Sequence, residues 1–170
     1  SRDDDSSKVS WSRALKRHFE KELRGEFNPN SVRLATYRPF QRQYLYLDAM
    51  FNEQMARWPE YLPTDNTENL FIAVPNPTEG NPTGALVTST VTDFNIAPGG
   101  VQCFPRYLFP ELTENPNQLF SSSNERISSI TSGALAAFQS CYGDDVSEDD
   151  IFFYVVAILS APEYQTLFGN

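Results

Sequence analysis

At 170 residues, with 40% hydrophobic and 14% aromatic residues, the chain is apolar enough to bury a core, which excludes a disordered polypeptide and predicts one globular domain. No run approaches the ~20 apolar residues of a membrane helix, and the opening Ser1-Arg2-Asp3-Asp4-Asp5-Ser6-Ser7 has neither the basic nor the apolar region of a signal peptide, so no membrane partner and a cytoplasmic location are expected. The net charge of −9 argues, taken whole, against a polyanionic partner.

The charge is unevenly spread. Residues 1–60 hold eleven of the thirteen Lys and Arg against nine Asp and Glu, whereas residues 61–170 hold two against thirteen. Any contact with an anion is therefore expected from the first third, with the last third facing elsewhere. The acidic, serine-rich start without Met reads as a linker or cut end over residues 1–8, ahead of a single domain over 9–170 that is a piece of a larger polypeptide.

Over residues 9–24 the apolar Trp11, Leu15, Phe19 and Leu23 recur every four positions, which predicts a helix, with Ser10 as its cap and Gly25 as its stop. Arg13, Arg17, Lys21 and Arg24 gather on the opposite side. That face is either a solvated surface or a phosphate-contacting one. After a turn at Asn28-Pro29-Asn30, alternation predicts a half-buried strand over 31–37 and another over 44–47. A polar, Pro-containing stretch leads to the compact apolar run 69–74, read as a buried strand closed by Pro75. Beyond a turn-rich loop, strands are predicted over 85–91, at Phe94-Asn95-Ile96, over 101–104 and at Tyr107-Leu108-Phe109, with a turn at Pro98-Gly99-Gly100.

The texture then becomes helical. Asn124 is read as the cap of a helix carrying Ile127, Ile130, Ala134, Phe138 and Cys141 as far as Gly143. Ser147 and Asp150 form a capping-box pair opening an aromatic helix over 148–160, and Pro162 starts a short last helix with Tyr164, Leu167 and Phe168. The fold class predicted is α+β: a central mixed or antiparallel sheet of short strands, an N-terminal helix and a C-terminal helical pair.

Catalytic signals are missing. His18 is the only histidine, lies beside the first apolar stripe and is read as packing at a rim; a histidine triad or a His-ligated metal has nothing to build on. There is no phosphate-binding Gly-x-x-x-x-Gly-Lys loop, no Asn-Pro-Pro-aromatic stretch of an amino-methyltransferase, and no lysine after Lys21 to complete the Asp…Glu-x-Lys of a metal-dependent nuclease. Asp144, Asp145, Glu148, Asp149 and Asp150 suit a helix N-terminus better than a metal. Cys103 and Cys141 are read as buried thiols. No catalytic residue, metal or cofactor is expected in these residues.

Three segments carry a resemblance. Tyr37-Arg38-Pro39-Phe40-Gln41-Arg42-Gln43-Tyr44-Leu45-Tyr46 is similar to the Tyr-Arg-Pro-Phe-x-x-Arg-x-x-Tyr stretch that follows the methyltransferase domain of Type ISP restriction-modification enzymes. Gln102-Cys103-Phe104-Pro105-Arg106-Tyr107-Leu108-Phe109 resembles their Phe-Pro-Leu-Tyr-Leu-Tyr strand, and Asp149-Asp150-Ile151-Phe152-Phe153-Tyr154-Val155 through Ser160-Ala161-Pro162-Glu163-Tyr164 resembles their closing Asp-Ile-Phe-x-Tyr-Val segment. Where that family has His before Ser-Pro and Arg after the Tyr, this chain has Leu159 and Gln165.

The resemblance implies a target-recognition domain that directs adenine methylation and cleavage by other domains: an Mrr-like nuclease, a helicase-type ATPase, a coupler and an adenine methyltransferase, which would use S-adenosylmethionine, ATP and Mg. Double-stranded DNA is then the expected partner, together with the methyltransferase and coupler domains of the same polypeptide. The candidate nucleic-acid contacts are Arg13, Arg17, Lys21, Arg24, Arg33, Arg38, Arg42, Arg57 and Arg106, because Arg and Lys grip phosphates and Arg pairs with guanine edges. Target choice is expected from the loops 53–69 and 76–84. The alternative is a module that docks on the methyltransferase or coupler and touches DNA little, for which the acidic last two thirds and the aromatic Phe152, Phe153 and Tyr154 speak.

Overall fold

The computed structural model describes residues 5, 11–76, 84–109 and 126–168. Helix α1 (Arg13–Glu20) begins where the Ser12 hydroxyl accepts from the Leu15 N–H at 3.2 Å, two residues later than the apolar period suggests. It ends at Glu22, not Gly25. Glu22 turns to φ 54°, and the N–H groups of Leu23 and Glu22 close back on the His18 and Phe19 carbonyls at 3.0 Å, a Schellman ending made without glycine. His18 is half-buried with Nδ1 donating to the Met50 carbonyl at 3.1 Å, the packing role expected of it.

Strands β1 (Val32–Arg38) and β2 (Gln41–Tyr46) form an antiparallel hairpin in register from Val32 opposite Tyr46 to Thr36 opposite Arg42, with an irregularity at Tyr37 that sets Arg38 opposite Gln41. The polar, Pro-containing stretch contains helix α2 (Trp58–Tyr61). Strand β3 (Phe71–Pro75) follows, then β4 (Leu86–Thr88), β5 (Val91–Thr92) and β6 (Val101–Pro105). They divide into a mixed sheet, β2-β1-β5, in which β5 runs parallel to β1, and an antiparallel sheet, β4-β3-β6. Hydroxyls join the two: Thr36 lies 2.7 Å from Thr90 and 3.5 Å from Thr88.

The expected strand at Phe94–Ile96 is instead a 3-10 turn, because the Asp93 carboxylate accepts from the Asn95 N–H at 2.7 Å and bends the chain after β5. The turn at Pro98-Gly99-Gly100 stands as read, with φ of 78° at Gly99 and 86° at Gly100. Short strands β7 (Tyr107–Leu108) and β8 (Ile127–Ser128) pair antiparallel. Ile127 and Ile130 thus precede helix α3 (Ser132–Tyr142): Ile127 pairs with Leu108, and the helix starts at Thr131, whose hydroxyl accepts from Ala134 N–H at 3.2 Å. Asn124 lies outside the described residues. Helices α4 (Glu148–Ser160) and α5 (Pro162–Phe168) match the expected spans, and the Ser147–Asp150 capping box is made in both directions.

The two faces of β3 set the core. Fully buried Phe71 faces Ala35, Leu62 and Val91, and Trp58 and Tyr61 of α2 meet its ring at 4.9 and 6.1 Å. On the other face, Ile72 and Val74 share an apolar groove with Phe104, Phe152 and Val155, so α4 lies over the second sheet. Cys103 is half-buried beside the core, and burial pushes its thiol up to about 11. Cys141 is exposed rather than buried, since it lies on the outer side of α3. No single helix among the described residues is long and apolar enough to cross a membrane. The α+β class holds, with α1 and the helices α3 to α5 flanking the strands.

Candidate nucleic-acid interface

A cleft of about 570 Å³ opens between the hairpin, the 52–61 segment, the 3-10 turn and β6. Its floor is apolar, with Ala35, Leu45, Trp58 and Val91. Around it stand the exposed carboxamides Gln43, Gln54, Asn95 and Gln102, and none of their side chains is hydrogen-bonded to a described residue. A free carboxamide has a donor and an acceptor side by side, the pattern that matches the N6 and N7 edge of adenine. The sequence carries no signal for this grouping, because these residues come from four separate segments and only the tertiary fold assembles them.

Gln54 also lines a neighbouring basin of about 410 Å³ with Arg13, Ala14, Arg17 and Glu53. There the Glu53 carboxylate accepts from the Ala14 N–H at 3.2 Å, at the positive end of α1. The first helix and the start of the 53–69 loop are thereby one surface, continuous with the cleft. Most of the 76–84 loop lies outside the described residues.

The nine basic candidates separate into two groups. Arg13, Arg17, Lys21, Arg24 and Arg42 are exposed, and their charged ends engage no described residue. Arg33, Arg57 and Arg106 are committed within the domain. Arg33 donates to the Asn30 carbonyl and, at 3.0 Å, to the Pro63 carbonyl, pinning the loop ahead of β1 to that after α2. Arg57 pairs with Glu60 at 2.6 Å, and that hydrogen bond raises its pKa further. Arg106 grips Asp149 with two nitrogens and stacks on Tyr107 and Phe153. Arg38 stands between the groups: it lies 4.2 Å over the Tyr37 ring, donates to the Tyr37 and Asn95 carbonyls at 3.0 and 3.3 Å, and sits 3.7 Å from Asp93.

The acidic run after α3 is also accounted for. Asp150 caps α4 with Ser147, whose hydrogen bonds lower its pKa, and Asp149 is held below the ordinary carboxylate range chiefly by the Arg106 hydrogen bond. Among the described residues, no group of three or more His, Cys, Asp or Glu is placed to hold a metal ion.

The family described as the Type ISP C-terminal specificity domain matches residues 1–170. No curated protein matches. Among solved structures, the chain resembles one described as the ATP-dependent Type ISP restriction-modification enzyme LlaBIII bound to DNA, with TM-score 0.77 and 26% identity over 94% of this chain. The DrdV–DNA complex gives TM-score 0.77 and 28% identity over 93%. A nuclease-deletion mutant of the Type ISP enzyme LlaGI, in complex with a DNA substrate mimic, shares the fold with TM-score 0.71 at 24% identity. The chain spans only 10%, 14% and 13% of those polypeptides, respectively.

Proposed function

Because the chain belongs to the Type ISP C-terminal specificity domain family, we propose that it recognises a DNA target sequence on behalf of a larger polypeptide, whose other domains carry out methylation and cleavage. The observation that carries this reading is the cleft ringed by Gln43, Gln54, Asn95 and Gln102, with the unpaired Arg13 and Arg17 beside it. Cations supply affinity that is blind to sequence; groups that meet base edges supply discrimination. Both kinds are present on one continuous surface. Four carboxamides favour A·T pairs at the positions they read.

No catalysis is assigned to these residues. S-adenosylmethionine, ATP and Mg would be held by other parts of the polypeptide, which would work in the cytoplasm where its DNA lies. The acidic C-terminal side, where Phe153, Tyr154, Leu167 and Phe168 are 46, 47, 75 and 63% exposed, suits contact with the methyltransferase or coupler domain better than contact with phosphates.

The test uses the full-length polypeptide and its own methylation site, located by sequencing the DNA of cells that express it. Gln43→Ala combined with Gln102→Ala should bring affinity for that site toward affinity for unrelated duplex, at about 1–3 kcal/mol for each base edge no longer read, with unrelated binding unchanged. Unchanged discrimination in a folded double variant would refute the reading of the cleft.

A further inference from the structure

The tip of the β1–β2 hairpin presents a side chain that nothing in the domain uses. Phe40 is 100% exposed, and it holds φ 66°. Pro39 fixes its own φ near −65° by its ring, so Phe40 occupies the second central position of a tight turn where positive φ is the place of Gly or Asn. A bulky residue in that conformation is strained, and full exposure returns no packing energy. A turn selected for stability alone would carry glycine there.

The surroundings of the ring point to its occupant. Residues 37–46 contain Arg38 and Arg42 and no acidic residue, within a chain of net charge −9. The Arg42 guanidinium engages no described residue. Arg38 reaches across to Asn95 and Asp93, which fixes the hairpin tip against the 3-10 turn, beside the carboxamide cleft. The exposed apolar patch that a protein partner would want lies at the other end of the hairpin, where Phe27 stacks on Tyr46 at 5.5 Å. A single projecting ring between cations, on a braced tip, matches what is needed to enter a base stack while the flanking phosphates are neutralised.

We propose that Phe40 is a wedge: when the domain sits on duplex DNA, its ring inserts at one base step, partly unstacks it and bends the duplex, while Arg42 holds an adjacent phosphate. The proposal rests on the reading of the domain as a DNA-recognition module. It goes further, because base reading by the cleft needs no insertion.

Site-containing duplexes with 2-aminopurine substituted at one position at a time test it, using the full-length polypeptide. The wild type should raise the fluorescence several-fold at one step other than the methylated base, and Phe40→Ala should abolish that rise and weaken binding roughly tenfold. Phe40→Trp should keep it. Phe40→Gly should lose the rise while raising the melting temperature, since glycine relieves the positive φ. A step-by-step fluorescence pattern identical in wild type and Phe40→Ala overturns the wedge. If discrimination between site and unrelated DNA persists alongside that identical pattern, the recognition reading survives; if wild type itself fails to discriminate, that reading has failed instead. Undocking of this domain from the rest of the polypeptide in Phe40→Ala, read as new cleavage between them in limited proteolysis with the fluorescence pattern unaltered, also overturns the wedge and assigns the ring to a protein partner.

Discussion

Arg106 and Asp149 are joined through two nitrogens and two oxygens, with Nε 2.7 Å from Oδ1, and this pair ties the junction of β6 and β7 to the first turn of α4. Tyr107 adds its hydroxyl to the same carboxylate at 3.2 Å. The guanidinium is therefore spent on the fold. Arg106→Ala is expected to lower stability by about 1–2 kcal/mol, a charged hydrogen-bonded pair discounted for the half-exposed Asp149, and to leave the salt dependence of DNA binding unchanged. Denaturant titration and binding at several salt concentrations check the two halves.

The same pair sets a pH dependence. Asp149 titrates below its ordinary range in the fold, mainly through the Arg106 hydrogen bond. A depressed carboxylate stabilises the fold fully above its unfolded value of about 3.9 and loses that contribution as pH falls through the lower folded value. The melting temperature of the wild type should thus drop more steeply below about pH 4 than that of Asp149→Asn. Parallel curves would show that the pair adds nothing.

Asn69 is 5% exposed and uses all its hydrogen-bonding capacity: its amide donates to the Tyr61 and Tyr107 carbonyls at 3.1 and 2.8 Å, and its oxygen accepts from the Tyr107 and Leu70 N–H groups at 3.1 and 2.9 Å. It fastens α2, β3 and β7 together. Asn69→Ala would strand several buried backbone groups and should cost about 2–4 kcal/mol, read from the denaturation midpoint.

How far the sequence reveals this molecule depends on the range of the interactions. The Ser147–Asp150 capping box and the β3 run are legible because their causes lie within a few residues. Ile127 and Ile130 keep helical spacing with Ala134, yet Ile127 belongs to a ladder with Leu108; periodicity cannot report a partner strand nineteen positions away. Trp58 and Tyr61 sit in a polar stretch whose composition hides that both dock on Phe71. For the site, charge asymmetry correctly marks Arg13, Arg17 and Arg42 as unpaired cations, but charge alone does not separate them from Arg33 and Arg106, which the fold consumes. The carboxamides are invisible for a plainer reason: an exposed Gln has no pattern.

Glu22 at the end of α1 offers a change in the stabilising direction. Its φ of 54° is the conformation that glycine adopts without steric cost, and the Schellman hydrogen bonds through Leu23 and Glu22 are already made. Glu22→Gly should therefore raise stability by up to about 1 kcal/mol, since the left-handed conformation costs roughly 1–2 kcal/mol for an ordinary residue and glycine gives part of that back as unfolded-state entropy. Thermal denaturation of the pair of proteins decides it.

The first helix separates grip from reading. Arg13 and Arg17 flank the basin at Glu53, and Arg24 follows the helix end, all three with exposed, unpaired charges. Alanine is the strongest helix former, and the Ser12 cap stays in place, so replacing the three together should leave α1 folded, as circular dichroism would verify. In the full-length polypeptide, the triple variant should bind its site and unrelated duplex more weakly by the same factor. The slope of log affinity against log salt should flatten by about 0.9 for each phosphate that is no longer neutralised. Glu53 already offsets part of the charge at Arg13 and Arg17, so a total flattening nearer 2 than 3 is expected of the three. Discrimination between site and non-site should not move, because phosphates carry no sequence. An unchanged slope with intact folding would make α1 a scaffold and place the phosphate grip on Arg42 and the hairpin.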